Sequence, residues 1–423
     1  MNINYELFDF IKNSPSAYHT VATVKAELLK NGYKELSEGG SWELCNGKGY
    51  FVIKNGTSII AFRANADANG FMIAASHSDS PSFRLKISPE MNGAYTRLSV
   101  ERYGGMINYT WLDRPLSLAG RVVVRTKSGI ESRLVNIDSD VAVIPSVAIH
   151  MNRGVNDGYK FNPAVDLLPL TATAAGKDCI MAELARLAGV SAADIISHDV
   201  FLYNREEGRV IGSQGEFILA PRIDDLECVF ASLKAFLSAK SGGSIPVLAV
   251  FDNEEVGSET KQGAASSFLY DTLCEIAGNR YFSMIKNSFM VSADNAHAKH
   301  PNHPELADAE HAPMITGGIV IKWNANQKYA TDGVSDAIFR TLCDRCGAKT
   351  QTYYNRADML GGSTLGSISN TKVSVATVDV GLAQLAMHSA SETAGAKDVT
   401  ELIKALTELF GSSLKKSGDR FEF

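Results

Sequence analysis

The chain opens with apolar residues at helical spacing and then changes to β-rich runs. Helical spacing covers Tyr5–Ile11 and Ala17–Lys30, and Ser14-Pro15-Ser16 between them is a break followed by a cap signal. Short β-rich runs come next, at Trp42–Leu44, Gly49–Lys54 and Ser58–Phe62. Asn55-Gly56 joins the last two runs and is typical of a hairpin turn. The pattern therefore predicts two helices followed by a hairpin.

Five apolar runs farther along the chain end in polar side chains. Each predicts a buried strand, and each is followed by residue types that bind metals or move protons. The runs are Phe71–Ser76 before His77 and Asp79, Phe217–Ala220 before Asp224 and Asp225, Val247–Phe251 before Glu254 and Glu255, Phe289–Ala293 before Asp294, and Val378–Gly381 leading to His388. Ligands of open α/β sheets bind beyond the carboxyl ends of the strands, so we expect the chemistry there.

The middle of the chain is richer in β-type and loop-type sequence. We interpret residues 88–215 as an inserted β-rich domain, which splits the main domain into residues 1–87 and 216–423. The features of the insertion are Gly104-Gly105, the runs Leu116–Val124 and Val141–Ile149, a predicted helix over Lys177–Leu187, and a cap signal at Ser191–Asp194 before a short second helix.

Helices and strands alternate after Asp224. The predicted helices cover Leu226–Leu237, Ala264–Ile276, Val334–Cys343 and Leu402–Leu409. The predicted strands, besides the one before Glu254, cover Phe289–Ser292, Gly318–Trp323 and Val373–Val378. This alternation predicts an α/β fold whose largely parallel or mixed sheet is covered by helices on both faces.

Composition is that of an ordinary globular protein. Of the 423 residues, 45% are hydrophobic and 21% are charged, which allows a substantial core in two domains. A net charge of −6 argues against a nucleic-acid partner, because such a partner requires a basic face. The first residues lack the segments of a targeting signal and no apolar run approaches the length of a membrane span. We therefore expect a cytoplasmic protein with no membrane partner.

Two groups of metal-binding residue types have simpler interpretations. The six cysteines are scattered, and Cys343-Asp344-Arg345-Cys346 has no partner pair, so we interpret it as two thiols at a helix end rather than a zinc or redox site. A histidine-rich run lies in a proline-containing loop and is interpreted as a structural or pocket loop rather than a third metal site. Its members are His297, His300, His303 and His311.

The strand ends together supply the parts of a two-metal hydrolytic site. Such a site needs a bridging carboxylate, terminal ligands for each ion and a general base beside the bridging water, with the ions about 3.5–4 Å apart. We assign Asp224 as the bridge and Glu254 as the base. The terminal ligands are His77 and Asp294 for one ion, and Glu255 and His388 for the other. Ligation by imidazole and carboxylate suits two Zn²⁺ best and also admits Mn²⁺ or Co²⁺.

These segments resemble the M18 family of metalloaminopeptidases, of which aspartyl aminopeptidase is the type member. The similarity covers nearly the whole chain, and Asp225 stands where the family more often has asparagine. The motifs are His77–Pro81, Arg114–Val122, Ala220–Asp225, Asp252–Ser258, Ser292–Asn302 and Gln384–Ser389. The resemblance implies a dizinc α/β peptidase domain with an inserted domain, assembled as a homo-oligomer, a tetrahedral dodecamer that encloses its active sites.

The resemblance also implies roles for single residues. It repeats the five ligands and the base assigned above, and Asp79 matches an acidic residue behind the metal ligands. His150 matches a histidine that reaches from the insertion into the neighbouring subunit's site to help stabilise the tetrahedral intermediate. Lys322 and Tyr329 match residues that line the substrate pocket.

The predicted activity is metal-dependent hydrolysis of the first bond of a short peptide. Glu254 takes a proton from the bridging water and delivers it to the leaving amine. Lys322 would pair with an acidic first side chain, a charge that favours Asp and Glu. Two alternatives remain: the same chemistry with a neutral or apolar preference, and a catalytically silent assembly protein on the same fold. The complete ligand set argues against the second.

Overall fold

The computed structural model describes residues 2–176 and 178–423. Its helices are α1 (Ile3–Lys12), α2 (Ala17–Lys30), α3 (Cys179–Ala188), α4 (Ile223–Ser238), α5 (Phe268–Ala277), α6 (Tyr281–Ile285), α7 (Gly333–Cys346), α8 (Leu365–Ser369) and α9 (Asp398–Gly411). Its strands are β1 (Lys34–Leu36), β2 (Gly49–Lys54), β3 (Ser58–Arg63), β4 (Phe71–His77), β5 (Ser82–Met91), β6 (Tyr95–Tyr103), β7 (Leu116–Thr126), β8 (Gly129–Asn136), β9 (Leu170–Thr173), β10 (Ile195–Asn204), β11 (Arg209–Ile211), β12 (Phe217–Ala220), β13 (Ile245–Phe251), β14 (Phe289–Ala293), β15 (Ala296–His297), β16 (Ile319–Trp323), β17 (Thr350–Tyr354), β18 (Ala376–Leu385), β19 (Glu392–Gly395), β20 (Lys415–Ser417) and β21 (Arg420–Glu422).

The larger sheet is mixed and has a parallel centre. Strand β13 pairs in parallel with β4, β4 with β14, and β14 with β18. The order along the sheet is β1-β2-β3-β13-β4-β14-β18-β19-β12-β11, with β15 and β16 also paired to β18, and β17 to β16. Strands β4, β13 and β14 are buried along their whole length, as the unbroken apolar runs predict for a sheet covered on both faces.

Helices cover both faces of this sheet. On one face a hydrophobic cluster joins the strands to α1, α2, α4, α7 and α9 through residues that include Leu7, Leu28, Phe236, Phe339 and Phe410. On the other face a second cluster joins the strands to α5, α6 and α8 through residues that include Phe268, Met284 and Leu365. The predicted α/β fold is confirmed. Among the described helices, none is both long enough and apolar enough to cross a membrane.

A second sheet of six antiparallel strands is formed by the middle of the chain. Its order is β8-β7-β10-β5-β6-β9, and α3 packs against it through Ile180 and Leu184. The sheet runs from Ser82 to Asn204, whereas the predicted insertion covers residues 88–215. Residue 88 falls inside β5, and β11 belongs to the larger sheet. The division of the chain into two domains stays a proposal, with edges that fit the second sheet better at residues 82 and 204.

Several elements begin and end where the sequence predicts. Helix α2 and strand β2 have the predicted limits, because the periodic apolar residues are bounded by clear cap or turn signals, and β4 includes one residue more than its apolar run, His77. Asn55 and Gly56 both adopt positive φ, 54° and 77°, in the tight turn between the paired residues Lys54 and Ser58, as the Asn-Gly signal predicts. Local sequence therefore determined these elements.

The predicted strand at Trp42–Leu44 is wrong. The segment is not paired with a strand. The Trp42 indole N–H donates to the carbonyl of Ser37 at 2.9 Å, and the Cys45 N–H donates to the hydroxyl of Tyr50 at 2.8 Å. β-type residues form a strand only where a partner edge is available.

Two predictions within the second sheet region also change. The run Val141–Ile149 forms only isolated bridges at residues 142–144 and continues as an exposed loop. The helix predicted from Lys177 to Leu187 is observed as α3, and Lys177 itself lies outside the described residues. The cap at Ser191 is present, but it leads into a single turn, Ala192–Asp194, that runs directly into β10.

Candidate metal centre

The carboxyl ends of the central strands meet at one edge of the larger sheet. Phe251 at the end of β13 is paired with His77 at the end of β4, and β14 ends beside them at Ala293. Strand β18 is parallel to β14 and leads to His388, and β12 runs in the same direction because β19 is antiparallel to both. All five predicted polar strand ends therefore lie at the same edge.

The side chains at this edge form two groups that share Asp224. Oδ1 of Asp224 lies 3.4 Å from Nε2 of His77, which lies 3.7 Å from Oδ1 of Asp294. Oδ2 of Asp224 lies 3.5 Å from Nε2 of His388, which lies 3.3 Å from Oε2 of Glu255. One carboxylate thus faces a different histidine with each of its oxygens.

Glu254 and Glu255 lie on a short 3₁₀ turn, Glu254–Val256, that Asp79 holds in place. Oδ1 of Asp79 accepts a hydrogen bond from the Glu254 N–H, and Oδ2 accepts one from the Glu255 N–H, both at 3.2 Å. A further ligand-capable group contains His77, Glu254 and Glu255, whose donor atoms lie within 4.8 Å of one another. Glu254 therefore lies near both groups, beside His77 of the first and Glu255 of the second.

Left-handed backbone conformations occur next to these side chains. Arg222 has a φ of 56°, Asn253 of 62° and His388 of 67°. Positive φ in residues other than glycine is uncommon and is concentrated at functional sites, where surrounding structure holds it. The sharp turns allow the chain to leave the buried strands and place the next side chains over the edge of the sheet.

The electrostatics of the cluster favour a bound cation. Burial, with the charges of Asp294 and Asp79, raises the pKa of Glu254 to about 8. Burial and the charge of Asp224 raise the pKa of Glu255 well above its ordinary value. Burial also opposes ionisation of Asp224, but the imidazoles of His388 and His77 lower its pKa. The ionised carboxylates of this cluster repel one another at such short distances, and a positive ion between them would reduce the repulsion.

The donor atoms of the cluster fit zinc. Among the described residues, none donates a hydrogen bond to Oδ1 of Asp224 or Oε1 of Glu255, although both atoms are buried. Buried polar oxygens normally have a partner, and a metal ion would supply one. The imidazole and carboxylate donors are those that zinc accepts in catalytic sites. The residues present therefore fit a zinc centre.

Lys322 is buried beneath this cluster, with 3% of its surface exposed. Its ammonium donates to the carbonyl oxygens of Asp294 and Asn295, at 2.8 and 3.3 Å, and to Oδ2 of Asp294 at 3.3 Å. The Tyr329 ring lies 5.3 Å from it. Three protein oxygens thus surround the ammonium, so a substrate carboxylate that binds Lys322 would have to compete with these bonds.

His150 is exposed on the loop that follows Ile144. None of the ligand-capable groups found in the described part of the chain includes it. The predicted role places it in a neighbouring subunit's site, and a single chain does not test that role. The histidine-rich run is also largely exposed, at His300, His303 and His311.

Three further residues form hydrogen bonds to the cluster, and sequence reasoning predicted this role for none of them. Tyr103, at the end of β6 in the second sheet, donates a hydrogen bond of 2.7 Å to Asp79. Asp225 accepts the His77 N–H at 3.0 Å, and Glu392 accepts the N–H groups of Asp224 and His388. An acid four residues after His388 was the one signal that the sequence offered for Glu392. Nothing local in the sequence distinguishes Tyr103.

The close approach of the second sheet is visible at Gly104. With a φ of 75°, it brings its backbone so near to Glu255 that an added Cβ would lie 3.2 Å from Cβ of Glu255. Ile107 donates its N–H to the carbonyl of His388 at 3.0 Å. The segment after β6 therefore contacts both residues of the Glu255 and His388 pair.

Comparison with known proteins assigns the family. Residues 10–410 match the model for the aminopeptidase I zinc metalloprotease (M18) family. The chain belongs to the M18 family. As an M18 aminopeptidase it is a metallopeptidase and a hydrolase of a zinc-dependent family, and the family resemblance seen in the sequence is confirmed.

Relatives and solved structures agree over nearly the full length of this M18 chain. It is 44% identical over 422 residues to the probable M18 family aminopeptidase 2 of Clostridium acetobutylicum, covering 96% of this chain and 98% of the relative. Identity to the Pseudomonas aeruginosa protein of the same name is 38%, over 97% and 98% of the two chains.

Two solved structures show the same fold. A chain in the cryo-EM structure of the Ape4 and Nbr1 complex matches with a TM-score of 0.94 at 31% identity, covering 97% of this chain and 85% of that one. The S. cerevisiae mApe1 dodecamer matches with a TM-score of 0.85 at 29% identity, covering 97% and 96%.

Proposed function

We propose that this M18 aminopeptidase removes the N-terminal residue of short peptides with two Zn²⁺ held in the candidate metal centre. The observation that carries the proposal is the position of Asp224, whose two oxygens face His77 at 3.4 Å and His388 at 3.5 Å. A carboxylate that faces two separate ligand groups is the part that a two-metal site requires and a one-metal site does not.

The residues divide the work as follows. His77 and Asp294 would hold one ion and Glu255 and His388 the other, with one oxygen of Asp224 available to each pair. When bound, the ions would polarise the scissile carbonyl and make a water molecule more acidic. Glu254 accepts a proton from this water and returns it to the leaving amine. Its burial supports this role, since a carboxyl with a raised pKa is both an adequate base and an adequate acid near neutral pH.

We also propose a preference for Asp or Glu as the first residue of the peptide. Lys322 and Tyr329 are adjacent, and Lys322 contacts Asp294 at the edge of the metal centre. A buried cation next to the reacting centre favours an acidic substrate side chain. Lys322 already donates hydrogen bonds to Asp294 and Asn295, and this supports the alternative, a neutral or apolar preference. In that case Lys322 only holds Asp294 in place.

We further propose that the protein is a homo-oligomer, a tetrahedral dodecamer in which the second sheet forms an inserted domain. The S. cerevisiae mApe1 structure that it resembles is a dodecamer. The loop that carries His150 exposes three apolar side chains, Val147, Ile149 and Met151. Exposed apolar groups clustered on one loop are typical of a contact with another protein chain. In such an assembly His150 would act in a neighbouring subunit's site.

The test uses the full chain, a panel of short peptides and a chelator. Activity should disappear on chelation and return with Zn²⁺, and Glu254→Gln should lose about 10²–10⁴-fold in kcat while binding zinc normally. Glu275→Gln, the same change at an exposed position of α5, should match the unmodified protein. A folded, zinc-loaded protein that cleaves no peptide would instead identify a catalytically silent assembly protein.

A further inference from the structure

Glu392 is a buried acid between the two loops that meet at the metal centre. Only 1% of its surface is exposed, and it is the first residue of β19. The register of the sheet pairs it with Ala220, the last residue of β12, from which the chain continues to Asp224. On its other side the chain leads back four residues to His388.

Each carboxylate oxygen of Glu392 holds one of these loops. Oε2 accepts a hydrogen bond of 3.0 Å from the Asp224 N–H, and Oε1 accepts one of 2.7 Å from the His388 N–H. The side chains of Asp224 and His388 themselves approach to 3.5 Å on the cluster. One acid therefore sets the separation of two candidate ligands through their backbones.

The placement of Glu392 also has an electrostatic cost. A buried carboxylate without a cation is unfavourable unless hydrogen bonds and a nearby positive charge compensate for it. The two backbone bonds provide part of this compensation, and the charges of the buried Arg222 guanidinium and of the His388 imidazole also act on Glu392.

We propose that Glu392 is a positioning residue, which holds Asp224 and His388 at the spacing that a bound metal ion requires and contacts neither substrate nor metal itself. The inference rests on the proposed metal centre. Partners of metal ligands affect affinity because they fix the orientation of the ligands before the metal arrives, and their loss typically reduces metal affinity or activity 10–100-fold.

The chain contains a matched control in Asp398. It too is 1% exposed, and its two oxygens accept N–H groups from Thr316 at 2.7 Å and Gly318 at 3.0 Å. It therefore makes the same pair of backbone bonds, but to a loop that holds no candidate ligand. Glu392→Gln and Asp398→Asn each replace one accepting oxygen with an NH₂ group that cannot accept.

The experiment measures zinc affinity by competition with a chromophoric chelator, together with circular dichroism of the metal-free proteins. We expect Glu392→Gln to bind zinc about 10–100-fold more weakly and to regain activity in excess Zn²⁺, while Asp398→Asn binds zinc as the unmodified protein does. If Glu392→Gln does not fold, Glu392→Asp replaces it in the experiment. This variant keeps the charge but has a shorter side chain, and the same loss of zinc affinity is expected of it.

Two results would overturn the inference alone: unchanged zinc affinity in the Glu392 variants, or an equal loss in Asp398→Asn, which would indicate general loosening of the fold. An unmodified protein that binds no zinc would overturn the proposed metal centre, and the inference with it. Zinc binding by the unmodified protein separates the two cases.

Discussion

Tyr103 in the second sheet donates a hydrogen bond of 2.7 Å to Asp79, just beyond the end of β4 in the larger sheet. Asn253 donates to the same hydroxyl at 2.8 Å, and Asp79 accepts the N–H groups of Glu254 and Glu255. The hydroxyl thus joins the second sheet to the turn that carries the candidate base, so the middle of the chain helps to shape the site.

Substitution Tyr103→Phe should reduce kcat about tenfold, because Asp79 then holds the Glu254 turn less firmly. The ring contact with Phe201, at a centroid distance of 5.5 Å, would remain, so the loss of stability should be about 1 kcal/mol. Kinetics and urea unfolding would measure the two effects.

The control for this prediction is Tyr18→Phe. Tyr18 is buried and, like Tyr103, donates to a carboxylate, that of Asp199 in β10, at 3.1 Å. It should lose similar stability and keep its kcat. If both variants lose kcat equally, the bond to Asp79 has no particular role.

Substitution Lys322→Met should reveal whether Lys322 reads the substrate. If its ammonium pairs with an acidic side chain, kcat/KM for glutamyl peptides should fall about 10–100-fold more than for leucyl peptides, as expected for a hydrogen bond to a charged group. Equal losses on both peptides would mean that Lys322 acts only by holding Asp294. Comparison with Lys322→Arg, which keeps the charge, separates charge from shape.

Mixing two inactive variants should test the role of His150. In an oligomer that shares sites, His150→Ala mixed with Glu254→Gln should regain about a quarter of full activity, since some sites receive an intact Glu254 and a neighbour's intact His150. The measurement is activity after dissociation and reassembly. Recovery would be absent if each chain forms its own site, and light scattering that gives a monomer would exclude the shared site altogether.

Acid should destabilise the protein partly through His19 in α2. Burial and the charge of Arg222 lower its pKa from 6.5 to about 4. Between these values the unfolded state binds the proton and the folded state does not, so stability falls as pH drops from 6.5 towards 4, by at most about 1.4 kcal/mol per pH unit from this group.

The variant His19→Asn should show a shallower decline over the same range. Asparagine keeps a polar atom near Ser16, whose hydroxyl lies 2.8 Å from Nδ1 of His19, but it does not titrate. Urea unfolding at pH 7, 6 and 5 would measure the difference in slope. Parallel slopes in the two proteins would show that folding does not shift the pKa of His19.

Local signals and strand-end chemistry predicted much of the fold and the candidate site. The apolar runs before His77 and Glu254 predicted two buried strands. Because ligands of open α/β sheets bind beyond the carboxyl ends of the strands, the same runs predicted that these two side chains lie at one edge of the sheet. Trp42–Leu44 shows the limit, since β-type residues there found no partner strand.

By itself, the sequence determined which residue types stand at the strand ends, and so the chemistry that the edge of the sheet can perform. Only the tertiary structure decided what holds those residues: Tyr103 reaches Asp79 from 24 positions away, and Glu392 reaches Asp224 from 168. It also directed the Lys322 ammonium at Asp294 and Asn295. The physical reason is that a hydrogen bond depends on distance in space, and strand order and register, which bring distant segments together, are not encoded in any local pattern.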